Sequence, residues 1–274
     1  IAKRFSRKIS IGIRLNPNVT GRTHQKISTG GKDEKFGLSY VDFIKLCKKT
    51  KKMKNLNLEG ISVHIGSQIT STDPFKKVLF IINKIINKTK INFKLIDLGG
   101  GMGISYSKKE KQINLEKYGK LVKKFMKEKN SKIIFEPGRF IVGNSAILIA
   151  KIIYIKKSNN KNFFILDAGM NNLMRPALYD AYHEILPIKK TNKFIKGNIE
   201  FVGPVCESSD KFSKQKKFSK IKEGDYVGIA NVGAYGMSLS SNYNSRPTIA
   251  EIMVNGSKYK LIRKRQSLKN LVNN

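Results

Sequence analysis

The chain has 274 residues, 40% of them hydrophobic, which is enough for one large domain or two ordinary ones with a real core. Its 54 basic and 19 acidic residues give a formal charge of +35, but lysine is spread over nearly every segment, with no arginine-rich helix or aromatic-interleaved stripe. That spread describes solvated lysine faces and non-specific polyanion binding rather than a nucleic-acid site, and the best apolar run, "NSAILIAKIIYI", is broken by Lys151 well short of a membrane span.

Ile9 to Leu15 alternates apolar and polar residues as a strand does, and a helix follows over about Val41 to Lys49 with Ser39 as its cap. A second strand runs from about Gly60 to Ile65. Asp73 and Pro74 read as the cap and first residue of a helix whose stripe is Phe75, Val78, Leu79, Ile82, Ile85 and Ile86. A third strand, Phe93 to Leu98, ends in "GGGMG". Leu115, Tyr118, Leu121, Val122, Phe125 and Met126 line another amphipathic helix, and "KIIFEPGRF" supplies a fourth strand. Strict alternation of strand and helix is the signature of a parallel sheet or barrel. A closed eightfold barrel takes about 250 residues. Four strands in about 140 residues therefore mean either an open sheet or a barrel without its front.

After Phe140 the texture becomes mainly β. Strands are expected at Ile147 to Ile155, Phe163 to Asp167, Ile199 to Gly203 and Tyr226 to Ala230, with a hairpin over Ile249 to Arg263 turning at Asn255-Gly256. "KFSKQKKFSKIKEG" reads as a lysine-rich solvated loop. The first thirty residues hold scattered basic residues and no apolar core of a secretory signal. Cys47 and Cys206 lie far apart, which fits a reducing cytoplasm better than a disulfide framework. The chain begins at Ile1 rather than Met, shortly before a strand, so further sequence upstream is expected.

Chemistry-bearing residues gather at the strand C-termini, where parallel α/β architectures place their sites. "VHIGSQ" sets His64 and Ser67 past one strand, "DLGGGMG" sets Gly99, Gly100 and Gly101 past the next, and "FEPGRF" sets Glu136, Pro137, Gly138 and Arg139 past a third. Together they offer an imidazole, a phosphate cradle, and a carboxylate with a guanidinium. Singly, each has a plainer explanation. His64 could be a structural hydrogen-bonder, "GGGMG" lacks the spacing of a dinucleotide fingerprint, and "EPGR" could be a capping turn with a salt bridge. Further on, "GPVCESSD" brings Cys206, Glu207 and Asp210 into one turn, either as part of an active site or as a solvated acidic turn with an incidental thiol.

"HIGSQ", "DLGGGMG", "EPGR", "MRPALYDAYHEI", "GPVCESSD" and "NVGAYG", in this order, resemble diaminopimelate decarboxylase, a pyridoxal-phosphate enzyme related to ornithine and arginine decarboxylases. "RTHQKISTGGKDEKFG" matches the same pattern, so the resemblance runs from about Ile9 to Val272. It implies an α/β plus β fold. Residues 1–141 would form the C-terminal half of an alanine-racemase-like (β/α)8 barrel that binds pyridoxal 5'-phosphate, and residues 142–274 a β-sandwich or β-barrel domain that completes the site across a homodimer. The implied activity is decarboxylation of meso-2,6-diaminopimelate to L-lysine. His64 would stack on the pyridine ring. Ser67, the three glycines and Tyr235 would hold the phosphate, with Pro137, Gly138 and Arg139 also against the cofactor. Glu136 would face the pyridine nitrogen and keep it protonated. Arg139, Arg175, Tyr179 and Tyr235 would bind substrate, the guanidiniums gripping its distal carboxylate. Cys206, from the partner subunit, would return the proton after CO2 leaves, Glu207 would bind the ammonium of the non-reacting end, and Asp210 would support it.

One element of the family pattern is missing. The Schiff-base lysine belongs to a "YAxKAN"-like motif upstream of all these residues, and no such motif occurs in the 274 present. The chain therefore reads as the C-terminal two thirds of a decarboxylase, inactive alone, with exposed strand edges that favour aggregation. Three other possibilities are a decarboxylase acting on arginine, ornithine or a carboxylated polyamine, a non-catalytic truncated relative that only dimerises, and a nucleic-acid-binding module. The arginines of "EPGR" and "MRPALYDAYHEI" argue against the first, since a cationic tail has no use for two guanidiniums.

Overall fold

The computed structural model describes residues 1–21, 30–31, 34–107, 110–127, 129–189 and 191–273, and the chain divides into two compact units, Ile1–Ile141 and Val142–Asn274.

The first unit alternates β1 (Ile9–Leu15), α1 (Tyr40–Lys51), β2 (Leu56–Val63), α2 (Asp73–Thr89), β3 (Leu95–Asp97), α3 (Leu115–Met126) and β4 (Lys132–Ile134), and a single helical turn, α4 (Arg139–Val142), runs across the division. The four strands are parallel and lie in the order β1-β2-β3-β4. Each strand pairs with its predecessor in the chain, which is the winding of a barrel. A doubly wound sheet would reverse direction at a switch point.

Period-two alternation then separates two faces. Ile13, Leu15, Ile61, Val63 and Ile96 join Phe43, Val78, Ile82, Ile85 and Val122 from the helices in one buried core. The opposite face is polar and small. Register sets Arg14 against Ser62 and Ser62 against Asp97, a row of three side chains across three strands. A cavity of about 220 Å3 on this sheet is lined by residues including Ser10, Gly12, Gly60, Ser62, Asp97 and Ile134.

Local signals place the helices. Ser39 caps α1, its hydroxyl accepting the Asp42 N–H, and Asn114 caps α3 by accepting the Lys117 N–H. The start of α2 differs from expectation: Thr72 is the cap, without a side-chain bond, and Asp73 is already helical. Pro74 still falls in the first turn, where a missing N–H has no partner to lose. Strand β2 begins earlier than Gly60 because its parallel pairing with β1 extends back to Ile9 opposite Leu56.

The second unit contains β5 (Leu148–Lys157), β6 (Asn162–Leu166), α5 (Arg175–Tyr179), β7 (Ile185–Pro187), β8 (Phe194–Val202), β9 (Lys211–Ser219), β10 (Tyr226–Ile229), β11 (Glu251–Asn255), β12 (Lys258–Arg263) and α6 (Leu268–Val272). Six strands form one sheet in the order β7-β10-β5-β6-β8-β9, antiparallel except between β6 and β8. Phe164, Phe201 and Phe218 stack edge to face at its centre, with centroids 5.2 and 4.9 Å apart.

Two expectations need correction here. "KFSKQKKFS" is strand β9, not a loop. It pairs along β8 from Phe194 opposite Ser219 to Val202 opposite Lys211, and Phe212 and Phe218 anchor it in the core while the lysines face water. The hairpin of β11 and β12 turns one residue later than expected, at Gly256-Ser257. Asn255 pairs with Lys258, and Gly256 supplies the positive φ (59°) at the first central position of the two-residue turn. Among the described residues no helix is long and apolar enough to cross a membrane.

Candidate active site

In the first unit, the three expected strand ends meet. His64 continues the polar face beyond Ser62, and Glu136 does the same beyond Ile134. The Gly100 N–H donates to His64 Nδ1 (3.2 Å), and the Glu136 N–H donates to the Gly99 carbonyl (2.8 Å). The "HIGSQ" loop is fastened to "GGGMG" by Ile69 N–H to Gly101 O (2.8 Å), Gly103 N–H to Ile69 O (3.0 Å) and the Gln68 amide, which bonds both backbone groups of Ile104.

This lattice explains the glycines. Gly99 and Gly101 take positive φ (64° and 86°), and a Cβ on Gly100 would run into the Glu136 carbonyl. Gly138 is different: a Cβ there would meet nothing within 4 Å. Arg139 is buried, and its Nη2 and Nε donate to Ser67 Oγ (3.0 and 3.3 Å) while Nη1 donates to the Tyr106 hydroxyl.

Burial, reinforced by the Arg14 guanidinium, holds the His64 imidazole below its ordinary pKa. The carboxylates of Glu136 and Asp97 oppose this only in part. The hydrogen bond from Gly100 agrees, because Nδ1 must keep its lone pair to accept it. His64 is thus a neutral ring with its proton on Nε2.

In the second unit, Arg175 and Tyr179 sit at the two ends of α5, and Cys206, Glu207 and Tyr235 lie on loops. Asp180 follows in the left-handed conformation (φ 51°), its N–H bonded to the Arg175 carbonyl, and stops the helix after five residues. Asp210 meets Glu207 through its backbone, its N–H donating to the Glu207 carbonyl (3.1 Å). Its buried carboxylate points into its own loop and accepts the N–H groups of Val205 and Met170, both at 2.7 Å. Gly203 is small for the same reason, since a Cβ would strike that carboxylate. Burial raises the Asp210 pKa, and the two backbone bonds counter it.

The Glu207 carboxylate accepts hydrogen bonds from the Tyr243 hydroxyl and from Ser209 Oγ (2.9 Å). The bond from Tyr243 is the main cause of its lowered pKa, and the phenol of Tyr243 is raised in return. Ser241 N–H donates to the Asn171 carbonyl (2.9 Å), which joins the Tyr243 segment to the loop before α5. Tyr235 adopts a positive φ (60°), an uncommon conformation for a bulky residue and a sign of a conformation imposed by its surroundings.

The residues of the first unit named from sequence thus form one hydrogen-bonded cluster. Those of the second unit lie on α5 and on loops, of which Asp210 ties the Cys206 turn to Met170 and Asn171 ties the segment before α5 to Ser241. "RTHQKISTGGKDEKFG" falls largely on residues 22–29 and 32–33, outside the described residues. Sequence reasoning missed Arg14, Asp97, Tyr106, His183 and Tyr243. Arg14 carried a signal, a lone cation inside the strand "ISIGIRL", and His183 stood inside a motif already singled out.

Known proteins resemble this chain over nearly its whole length. Residues 1–143 match the family described as pyridoxal-dependent decarboxylase, pyridoxal binding domain. The chain is 42% identical to diaminopimelate decarboxylase of Zymomonas mobilis over 99% of its own length and 65% of that protein's, and 40% identical to the Haemophilus influenzae enzyme over 99% and 66%. The crystal structure of Helicobacter pylori diaminopimelate decarboxylase complexed with L-lysine superposes with a TM-score of 0.90 at 39% identity, covering 99% of this chain and 68% of that one. The chain thus spans about two thirds of the length of its curated relatives. Its fold is the barrel-plus-β-domain fold of these enzymes, with four barrel strands among the described residues. On this match across nearly every residue, the chain belongs to the diaminopimelate decarboxylase family of the pyridoxal-dependent decarboxylases.

Proposed function

We propose that the chain carries most of the active site of a pyridoxal 5'-phosphate enzyme that decarboxylates meso-2,6-diaminopimelate to L-lysine and CO2 in the cytoplasm, working as a homodimer with shared sites. The observation that carries this is the convergence of "HIGSQ", "GGGMG" and "EPGR" on one end of one sheet, joined by hydrogen bonds. The donor set suits the cofactor. Ser67, its hydroxyl oriented by Arg139 beside the cofactor, the glycine backbone and Tyr235 form a cradle for a phosphate, and the neutral His64 ring offers a flat face to an aromatic ring. Pro137 and Gly138 follow Glu136, and the open space at Gly138 leaves room for a ligand where its own chain requires no glycine. When bound, the cofactor supplies an electron sink for the bond that loses CO2.

The chain's own groups do the rest. Glu136 holds a proton on the pyridine nitrogen. Arg139, Arg175 and Tyr179 bind the distal carboxylate, and Tyr235 borders both cofactor and substrate. Glu207, kept ionised by Tyr243, takes the distal ammonium. The Cys206 thiol, exposed on its loop, returns a proton to the reacting carbon, and its place in the partner's site makes the dimer the active form. The test is lysine formation from meso-diaminopimelate by the full-length, cofactor-loaded gene product, with ornithine and arginine in competition. Turnover of diaminopimelate is expected. Preference for ornithine or arginine, or no turnover at all, overturns the assignment.

A further inference from the structure

We propose that His183 is a positioning residue that aims the Arg175 guanidinium at the distal carboxylate of the substrate, through a neutral ring held as the Nδ1–H tautomer. The role rests on Arg175 serving that carboxylate, and it concerns a residue outside the catalytic set above. His183 is fully buried, and its two ring nitrogens each face one partner: Nε2 lies 2.7 Å from Arg175 Nη1, and Nδ1 lies 2.8 Å from the Ala230 carbonyl.

The donor rules leave one arrangement. A guanidinium only donates, so Nε2 must accept; a carbonyl only accepts, so Nδ1 must carry the proton. A doubly protonated ring would set an N–H against the guanidinium at 2.7 Å, so the contact exists only with neutral His183. Arg175 is itself buried, where an unaimed guanidinium is costly and an acceptor on Nη1 sets the direction of that arm of the fork.

The same histidine joins two parts of the unit. Ala230 also donates its N–H to the Glu184 carbonyl (2.8 Å), so residues 183–184 are fastened twice to the end of β10. From there the chain enters Asn231–Gly236, in which Asn231 and Tyr235 both take positive φ (60°). One buried ring therefore sets the direction of Arg175 and anchors the start of the loop that carries Tyr235.

The experiment compares two ligands of the cofactor-loaded enzyme. L-lysine keeps the distal carboxylate, and 1,5-diaminopentane lacks it. In His183→Phe, which keeps an aromatic ring and removes the acceptor, L-lysine binding is expected to weaken about tenfold or more while 1,5-diaminopentane changes less than about twofold. His183→Gln, which keeps an acceptor, should restore part of the difference. Equal weakening of both ligands, or no change in either, overturns the positioning role. A wild-type enzyme that binds neither ligand overturns instead the functional assignment on which it rests. Should the Phe variant fail to fold, 15N NMR of the wild-type ring decides. An unprotonated Nε2 with a protonated Nδ1 supports the proposal, and the reverse tautomer or an imidazolium overturns it.

Discussion

The two clusters of candidate residues are built in opposite ways. In the first unit, strand ends are joined by backbone hydrogen bonds so close that glycine is the only residue that fits at position 100, and Gly99 to Gly101 form a frame with no room for a Cβ. In the second, side chains do the holding: buried Asp210 ties its own turn to Met170, buried His183 aims Arg175, and exposed Tyr243 holds Glu207 at the surface. Substitutions in the first cluster should therefore act mainly on folding, and many in the second on function alone.

The largest effect that would test this contrast is Gly100→Ala. The added methyl meets the Glu136 carbonyl, a backbone atom that cannot swing aside, and a loss of about 3 kcal/mol or more is expected in chemical denaturation. Asp210→Ala comes next, because it strands two buried N–H groups at Val205 and Met170, at a cost of about 2–4 kcal/mol. Here the second cluster behaves like the first, and a variant as stable as wild type would show that its loop is not held from within.

Cys206→Ala should divide stability from activity. The thiol is exposed, so unfolding should shift by less than about 0.5 kcal/mol while decarboxylation falls by about 100-fold or more. An equal loss of both would remove the contrast. The smallest effect is a pH slope. The folded state holds His64 below its ordinary value of 6.5, so the unfolded chain takes up that proton first as pH falls. The stability from the neutral ring is complete above pH 6.5 and declines below it, down to the lowered folded value. Urea midpoints across that window should fall with pH in wild type and less steeply in His64→Asn.

Much of this was legible in the sequence where one periodicity dominated. The stripe of α2 and the alternation of β1 gave their elements directly, and the strand ends followed from them. Strand β9 was not legible, because four lysines among its nine residues hide the two phenylalanines that bury it. Arg14 and Asp97 were missed for another reason: they join His64 through cross-strand register, which no local window contains. Asp210 was placed in the right turn, but the bonds of its carboxylate to Val205 and Met170 were not foreseen, since a sequence shows that a carboxylate is near but not which way it faces.

The claim that the strand ends hold pyridoxal 5'-phosphate is tested most directly by titrating the cofactor into wild type and Gly138→Ala. The substitution fills open space beside Glu136 and touches no atom of the chain, so the melting temperature should stay the same while cofactor affinity drops about tenfold or more. Equal affinity in the two proteins, or none in wild type, would contradict it.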